Sequence, residues 1–224
     1  MKLFGDNDHI GRRIMHSMSS VIALAYVIGL LEWWEITVLT GIGAGVITAL
    51  EFDRVVLGNS VLDPLYREYE KDSPAGYAYA IVGMFLAVLV FGYLLGQPDV
   101  AVVSVLVLAF ADPVAGIFSP NRLMKVKPAR ILALMFALSF AIALAADPLF
   151  PALPEAALGD LGAQYMPNPY PDVQVTWLEA LGVAIGATVG DGVKYRVKGH
   201  VVDDNLTIPV YAGTLMYVFG LAPL

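Results

Sequence analysis

The chain has 224 residues, of which 58% are hydrophobic and only 15% charged, with a mean hydropathy of +0.70. An average soluble domain is about 45–50% apolar and about 25% charged, and so short a chain has too little interior to hide the surplus, so lipid must be the solvent for most of it. The net charge of −7 argues against a nucleic-acid partner, and the lack of cysteine excludes disulfides, iron–sulfur clusters and thiol nucleophiles.

In chain order, apolar runs occupy residues 14–31, 33–50, 75–95, 100–118, 131–146, 175–190 and 206–221. These predict an all-α polytopic membrane protein with about seven transmembrane helices, forming a single transmembrane catalytic domain over 1–224. Several runs fall a little short of the ~20 residues that cross a ~30 Å hydrocarbon layer. The first follows a polar, mixed-charge start and lacks a small-x-small cleavage pattern, so it reads as a span and not a cleaved leader.

The loops between the runs give an orientation. Lys2, Arg12 and Arg13 precede the first run, Arg54, Arg67 and Lys71 follow the second, Arg122, Lys125, Lys127 and Arg130 follow the fourth, and Lys194, Arg196 and Lys198 follow the sixth. All 13 basic residues therefore fall on one side. The opposite loops carry Glu32, Glu35, Asp99, Asp147, Glu155, Asp160 and Asp172. The positive-inside rule then predicts a multi-pass cell-membrane protein with its N-terminus cytoplasmic and its C-terminus outside. Trp33 and Trp34 fall where an outer aromatic belt is expected. The loop 147–174, rich in proline from Pro148 to Pro171, reads as an irregular outer connector. The glycosylation-like triplet Asn205, Leu206, Thr207 lies on the inner face by this topology and reads as accidental.

Ionisable groups at membrane depth are costly and mark function by default. Asp112 lies about 18 Å along its helix from Val100, at 1.5 Å per residue. Pro113 removes a backbone donor and Gly116 loosens the turn, which predicts a broken backbone able to face a ligand. The plainer reading is a helix-end aspartate reaching for water. Asp191 ends the sixth run between Gly190 and Gly192, and Asp203, Asp204 and Asn205 open the seventh. Asp204 or Asn205 could cap that last helix. A cap does not account for Asp112 and Asp191 on the same membrane face.

On the first run Arg12, Arg13, His16, Ser19 and Ser20 share a helical stripe. Guanidinium groups there suit a phosphate-bearing ligand, because they grip its oxygens in a fork; a positive-inside anchor is the bland alternative. Glu51, Arg54, Glu68 and Glu70 occupy the second inner loop and read as solvated charges. Carboxylates for Mg²⁺ beside cations for phosphate describe a metal–nucleotide site. A Walker-type G-x-x-x-x-G-K-[ST] segment does not occur, and no lysine in the last run could form a retinal Schiff base. The three histidines, His9, His16 and His200, show no zinc spacing.

Arg12, Arg13 and His16, the stretch from Glu70 to Tyr79, Asp112 with Pro113, Ala115 and Gly116, and Asp203, Asp204, Asn205, Thr207 and Pro209 with Gly213 resemble the CTP-dependent polyprenol kinase family. That family covers dolichol kinase, phytol kinase and the yeast-type diacylglycerol kinase, and is related more distantly to the CTP:phosphatidate cytidylyltransferases. The resemblance implies phosphoryl transfer from CTP to an isoprenoid lipid alcohol, with Mg²⁺, on the cytoplasmic side. The family's nucleotide motif is met at Asp112 and Ala115 but has Ser119 at its final glycine and Ala111 before the aspartate. Lys125 and the segment to Arg130 lack the family's glycine, and Asp191 stands at the usual glutamate. These departures bear on nucleotide preference more than on reaction class.

The expected roles follow. Asp112, Asp191 and Asp204 would bind or orient Mg²⁺, with Asn205 completing the site. Arg12, Arg13, Lys125 and Lys127 would neutralise phosphate oxygens, and Ala115 and Gly116 would border the nucleotide. His16 is the expected group near the attacking hydroxyl, with Asp204 as competitor. Glu70, Asp203 and Pro209 are implied by the resemblance alone. Two alternatives stay open: a CTP-dependent CDP-lipid synthase, and a small transporter with Asp112 as its coupling carboxylate. The nearly bare outer halves of the runs disfavour a conduit.

Overall fold

The computed structural model describes residues 16–59, 70, 73–119, 126–158, 175–197 and 200–221, without the side chains of 150–158 and 200. Of these residues 82% are helical, which settles the all-α class. Helix α1 spans Ser20–Val27, and α2 spans Trp33–Phe52 and runs on as a π-turn over Asp53–Leu57. Helix α3 covers Gly76–Ala87 and also ends in a π-turn, Val88–Leu94. Helix α4 is Pro98–Phe118, with a π-turn at Val107–Ala111 before its last turns. Then come α5 (Ala129–Leu158), α6 (Trp177–Gly192), strands β1 (Tyr195–Val197) and β2 (His200–Val202), and α7 (Asp204–Gly220).

Among the described residues, four segments are long and apolar enough to cross a membrane: Trp33–Leu57, Gly76–Leu94, Pro98–Phe118 and Ala129–Leu149. Helices α6 and α7, of 16 and 17 residues, are shorter. Helix α4 is the centre of the bundle. Every side chain from 100 to 109 is buried, and α1, α3, α5 and α7 all pack on it. A helix that is apolar on all sides must have neighbours on all sides, and here it has them.

Two capping boxes mark the helix ends opposite the basic loops. Glu32 and Glu35 exchange side-chain and backbone bonds at the start of α2, and Thr176 and Glu179 do so at the start of α6. The acids at these ends thus satisfy helix termini.

Helices α6 and α7 touch backbone to backbone. A Cβ built at Gly182 would lie 2.5 Å from Leu215 O, one at Gly190 would lie 2.8 Å from Thr207 O, and one at Gly186 would overlap Tyr211 O. This four-residue glycine repeat is the small-residue seam by which helices associate where no hydrophobic force drives them together. Gly83 on α3 plays the same part, since a Cβ there would sit 2.7 Å from Asn205 O. Pro209 lies four residues after Asn205 and cannot donate to that carbonyl, which leaves it bare for the approach of α3.

Several expectations need correction. The irregular connector expected from residue 147 is helical as far as Leu158, and 159–174 lie outside the described residues. The Ala- and Leu-rich composition there favours helix, and Pro148, Pro151 and Pro154, three residues apart, fall toward one side, where their missing donors are concentrated. The basic loop after α6 forms an antiparallel hairpin, pairing Tyr195 with Val202, Arg196 with Val201 and Val197 with His200. Trp33 is a packing residue as well as a candidate for the outer belt. Its ring meets Tyr26 edge-on at 4.6 Å and fills the space over Gly92, whereas Trp34 is 58% exposed. The backbone is not broken at Asp112; the π-turn over Val107–Ala111 runs directly into the helical turns that follow.

Candidate functional site

Asp112, Asp191 and Asp204 come from three helices and meet. One carboxylate oxygen from each lies within 4.8 Å of the others. Three local features place them. The π-turn ends at Ala111, so Asp112 opens the last turns of α4. Pro113 cannot donate to Ala109 O, and Ser17 Oγ, 3.2 Å away, supplies the missing donor.

Asp191 follows Gly190 on the glycine seam, so it is carried to the first turn of α7 and is completely buried. Asp204 was open to a capping role, but the cap is Asp203, whose Oδ1 accepts from Asn205 N at 3.1 Å. The second acid of the string is thereby released for other work.

Two lysines face the acids. Lys127, just before α5, donates from Nζ to Asp191 Oδ1 and, at 3.0 Å, to Asp204 Oδ2. Its backbone N–H donates to Gly192 O at 3.2 Å, and Val126 bridges to Val193, which fixes the lysine beside the end of α6. Lys194, two residues past α6, donates to Asp204 Oδ2 at 2.6 Å. Burial works against the Lys127 ammonium, but the charges of Asp204, Asp191 and Asp112 outweigh it and hold its pKa above the usual lysine value. Lys194 is shifted the same way, burial being overcome by Asp204 and Asp203. Burial pushes the Asp203 carboxyl up to about 7, with the Asp204 charge adding to the effect and Lys194 opposing it.

Among the described residues the centre comprises three carboxylates and two ammonium groups. Asp191 Oδ2 is also buried with no hydrogen-bond partner among the described residues. An orphaned carboxylate oxygen without solvent is costly. A hard divalent cation relieves this condition, because it takes carboxylate oxygens as ligands. The residues present therefore fit Mg²⁺.

Sequence reasoning named Asp112, Asp191, Asp204 and Lys127, and the structure brings these together. It missed Lys194, which was counted only as a loop charge; its place three residues after Asp191 was the available signal. Arg12, Arg13 and Lys125 lie outside the described residues. Ala115 is buried, and Gly116 faces open space. Ser19 and Ser20 of the proposed stripe bond their own backbone, at His16 O and Ser17 O. Asn205 is not a free polar group beside the triad: it is buried, and its Nδ2 donates to Gly76 O at 2.9 Å. Asp203 is the cap, and Pro209 shapes the α3 contact.

Of the charges read as solvated, Glu68 lies outside the described residues and the other three are buried. Glu51, Arg54 and Glu70 are 4%, 7% and 3% exposed. Arg54 grips Glu51 through Nη2 at 2.7 Å and Nε at 3.2 Å. It also donates to the carbonyls of Ser73, at 2.8 Å, and Glu70, at 3.2 Å. Glu51 accepts as well from Ala75 N at 2.9 Å and from the Tyr77 hydroxyl, and Glu70 accepts from Gly76 N at 3.1 Å.

Comparison of the chain with protein-family profiles, with curated proteins and with solved structures finds no match.

Proposed function

We propose that the chain is a membrane-embedded lipid kinase that transfers the γ-phosphoryl group of CTP to a polyprenol or related isoprenoid alcohol. The reading places seven spans in the membrane, the N-terminus in the cytoplasm and the site on the cytoplasmic side. One observation carries it: three carboxylates, one fully buried and two half-buried, and two lysines converge at the same end of an apolar helix bundle. Such a centre suits a metal–triphosphate complex, and its position suits an acceptor whose tail stays in lipid.

Asp112, Asp191 and Asp204 would hold Mg²⁺, which when bound screens the triphosphate and draws charge from the transferred group. Lys127 and Lys194 would steady phosphate oxygens as negative charge spreads over them. The acceptor oxygen forms the new bond to the γ-phosphorus, the bond to the β-γ bridging oxygen breaks, and CDP leaves. The acceptor's proton goes to a base. Asp204 Oδ2 already accepts from two ammonium groups. Those commitments make it a poor proton acceptor and favour His16.

The test is incubation of the detergent-purified chain with γ-labelled CTP and a panel of lipid alcohols. Labelled lipid phosphate is expected from the native chain, and Asp112→Asn should lower it at least a hundredfold while the melting temperature holds. Release of pyrophosphate with a CDP-lipid would replace the kinase by a cytidylyltransferase. Undiminished turnover by Asp112→Asn would remove the central residue of the proposal.

A further inference from the structure

The buried Glu51–Arg54 pair is costly to desolvate, and a buried ion pair is weak evidence of stabilisation. What it does is geometric. Arg54 pins the backbone at Glu70 and Ser73, and Glu51 pins Ala75 N. Glu70 holds Gly76 N at 3.1 Å, and Gly76 O in turn accepts from Asn205 Nδ2 at 2.9 Å. Asn205 is the neighbour of Asp204, and its own N–H is held by the Asp203 cap. The bonds form an unbroken run from the end of α2, through the start of α3, to the first turn of α7.

We propose that Glu51, Arg54, Glu70 and Tyr77 are positioning residues for the carboxylate centre, acting through Gly76 and Asn205 to fix where Asp204 stands. The inference rests on the reading of Asp112, Asp191 and Asp204 as a divalent-cation site. Outer residues that orient metal ligands matter nearly as much as the ligands, and their loss lowers metal affinity by about 10- to 100-fold. Arg54 is the sensitive member. A lysine keeps the charge but cannot grip Glu51 and reach two carbonyls together.

The experiment compares Arg54→Lys and Tyr77→Phe with Gly182→Ala, a packing variant at the far end of the α6–α7 seam, using the full chain in detergent. Mn²⁺ is the metal probe, titrated by electron paramagnetic resonance. Hydrogen exchange of the amides at 203–208 reports the α7 turn without any metal. Arg54→Lys should weaken Mn²⁺ binding about tenfold, Tyr77→Phe should weaken it less, and both should speed exchange at 203–208 while the rest of α7 stays protected. Gly182→Ala should lower the melting temperature and leave Mn²⁺ affinity unchanged. If affinity falls in step with melting temperature in all three variants, the network is merely structural. Unchanged exchange at 203–208 in Arg54→Lys would overturn the link itself. Accelerated exchange with no saturable Mn²⁺ binding by the native chain would keep the link and sink the metal reading.

Discussion

Thr207 Oγ1 donates to Gly190 O at 2.7 Å, so the residue before Asp191 is tied to the helix that begins with Asp204. The bond crosses between α6 and α7 at the point where their backbones touch. Two of the three clustered acids are thus fixed in relation to each other by a hydroxyl and a missing side chain, before any cation is considered.

Replacing Thr207 by valine keeps the shape and removes that donor. Interhelical hydrogen bonds of this kind contribute about 0.6 kcal/mol on average and up to about 1.7. A lowered melting temperature in detergent is expected, together with weaker Mn²⁺ binding. Loss of stability with no change at the cation centre would mean that the glycine seam alone sets the spacing.

Gly186→Leu should be far more damaging, because its side chain would have to occupy the place of the Tyr211 backbone. Neither backbone can yield without parting α6 from α7. The expected result is loss of the folded, monodisperse species by size-exclusion chromatography. A well-behaved variant would show that the two helices can separate without cost.

Lys127 stands among three acids where a metal ion would also act. Lys127→Met should lower the melting temperature in EDTA, since it removes an ammonium group that faces the cluster. Millimolar Mg²⁺ should restore more stability to the variant than it gives the native chain, as expected for a site whose competing cation has been removed. Equal Mg²⁺ increments in both proteins would show that the lysine and the metal do not share the position.

Ser17→Ala should cost about 1 kcal/mol by leaving Ala109 O unpaired next to Pro113. Pro113→Ala restores a backbone donor for that carbonyl, so the double variant should recover most of the loss. A double-mutant cycle by thermal melting reads this coupling. Additive effects would mean that hydroxyl and proline do not serve the same oxygen.

The acids of the centre were legible because a carboxylate inside an apolar run has few innocent explanations. Lys127 was legible by its company. Glu51 and Arg54 were not, because a charge beside a loop looks solvated until the fold closes over it, and no local pattern announces that event. The choice of cap among Asp203, Asp204 and Asn205 was equally closed to sequence, since each can accept from a free N–H. The helical run through Pro148, Pro151 and Pro154 shows the opposite failure, where strong local punctuation was overridden by helix-forming neighbours.

The π-turn of α4 holds one residue more than an α-turn, and the widened turn absorbs that surplus. Each residue winds a helix by about 100°. Deleting one residue of Val107–Ala111 would let the turn close to α geometry and leave Asp112 facing Asp191 and Asp204, whereas the same deletion from a plain α-turn would swing it away. Read backwards, a single codon gained inside this span is absorbed by a widened turn that keeps the third acid in register.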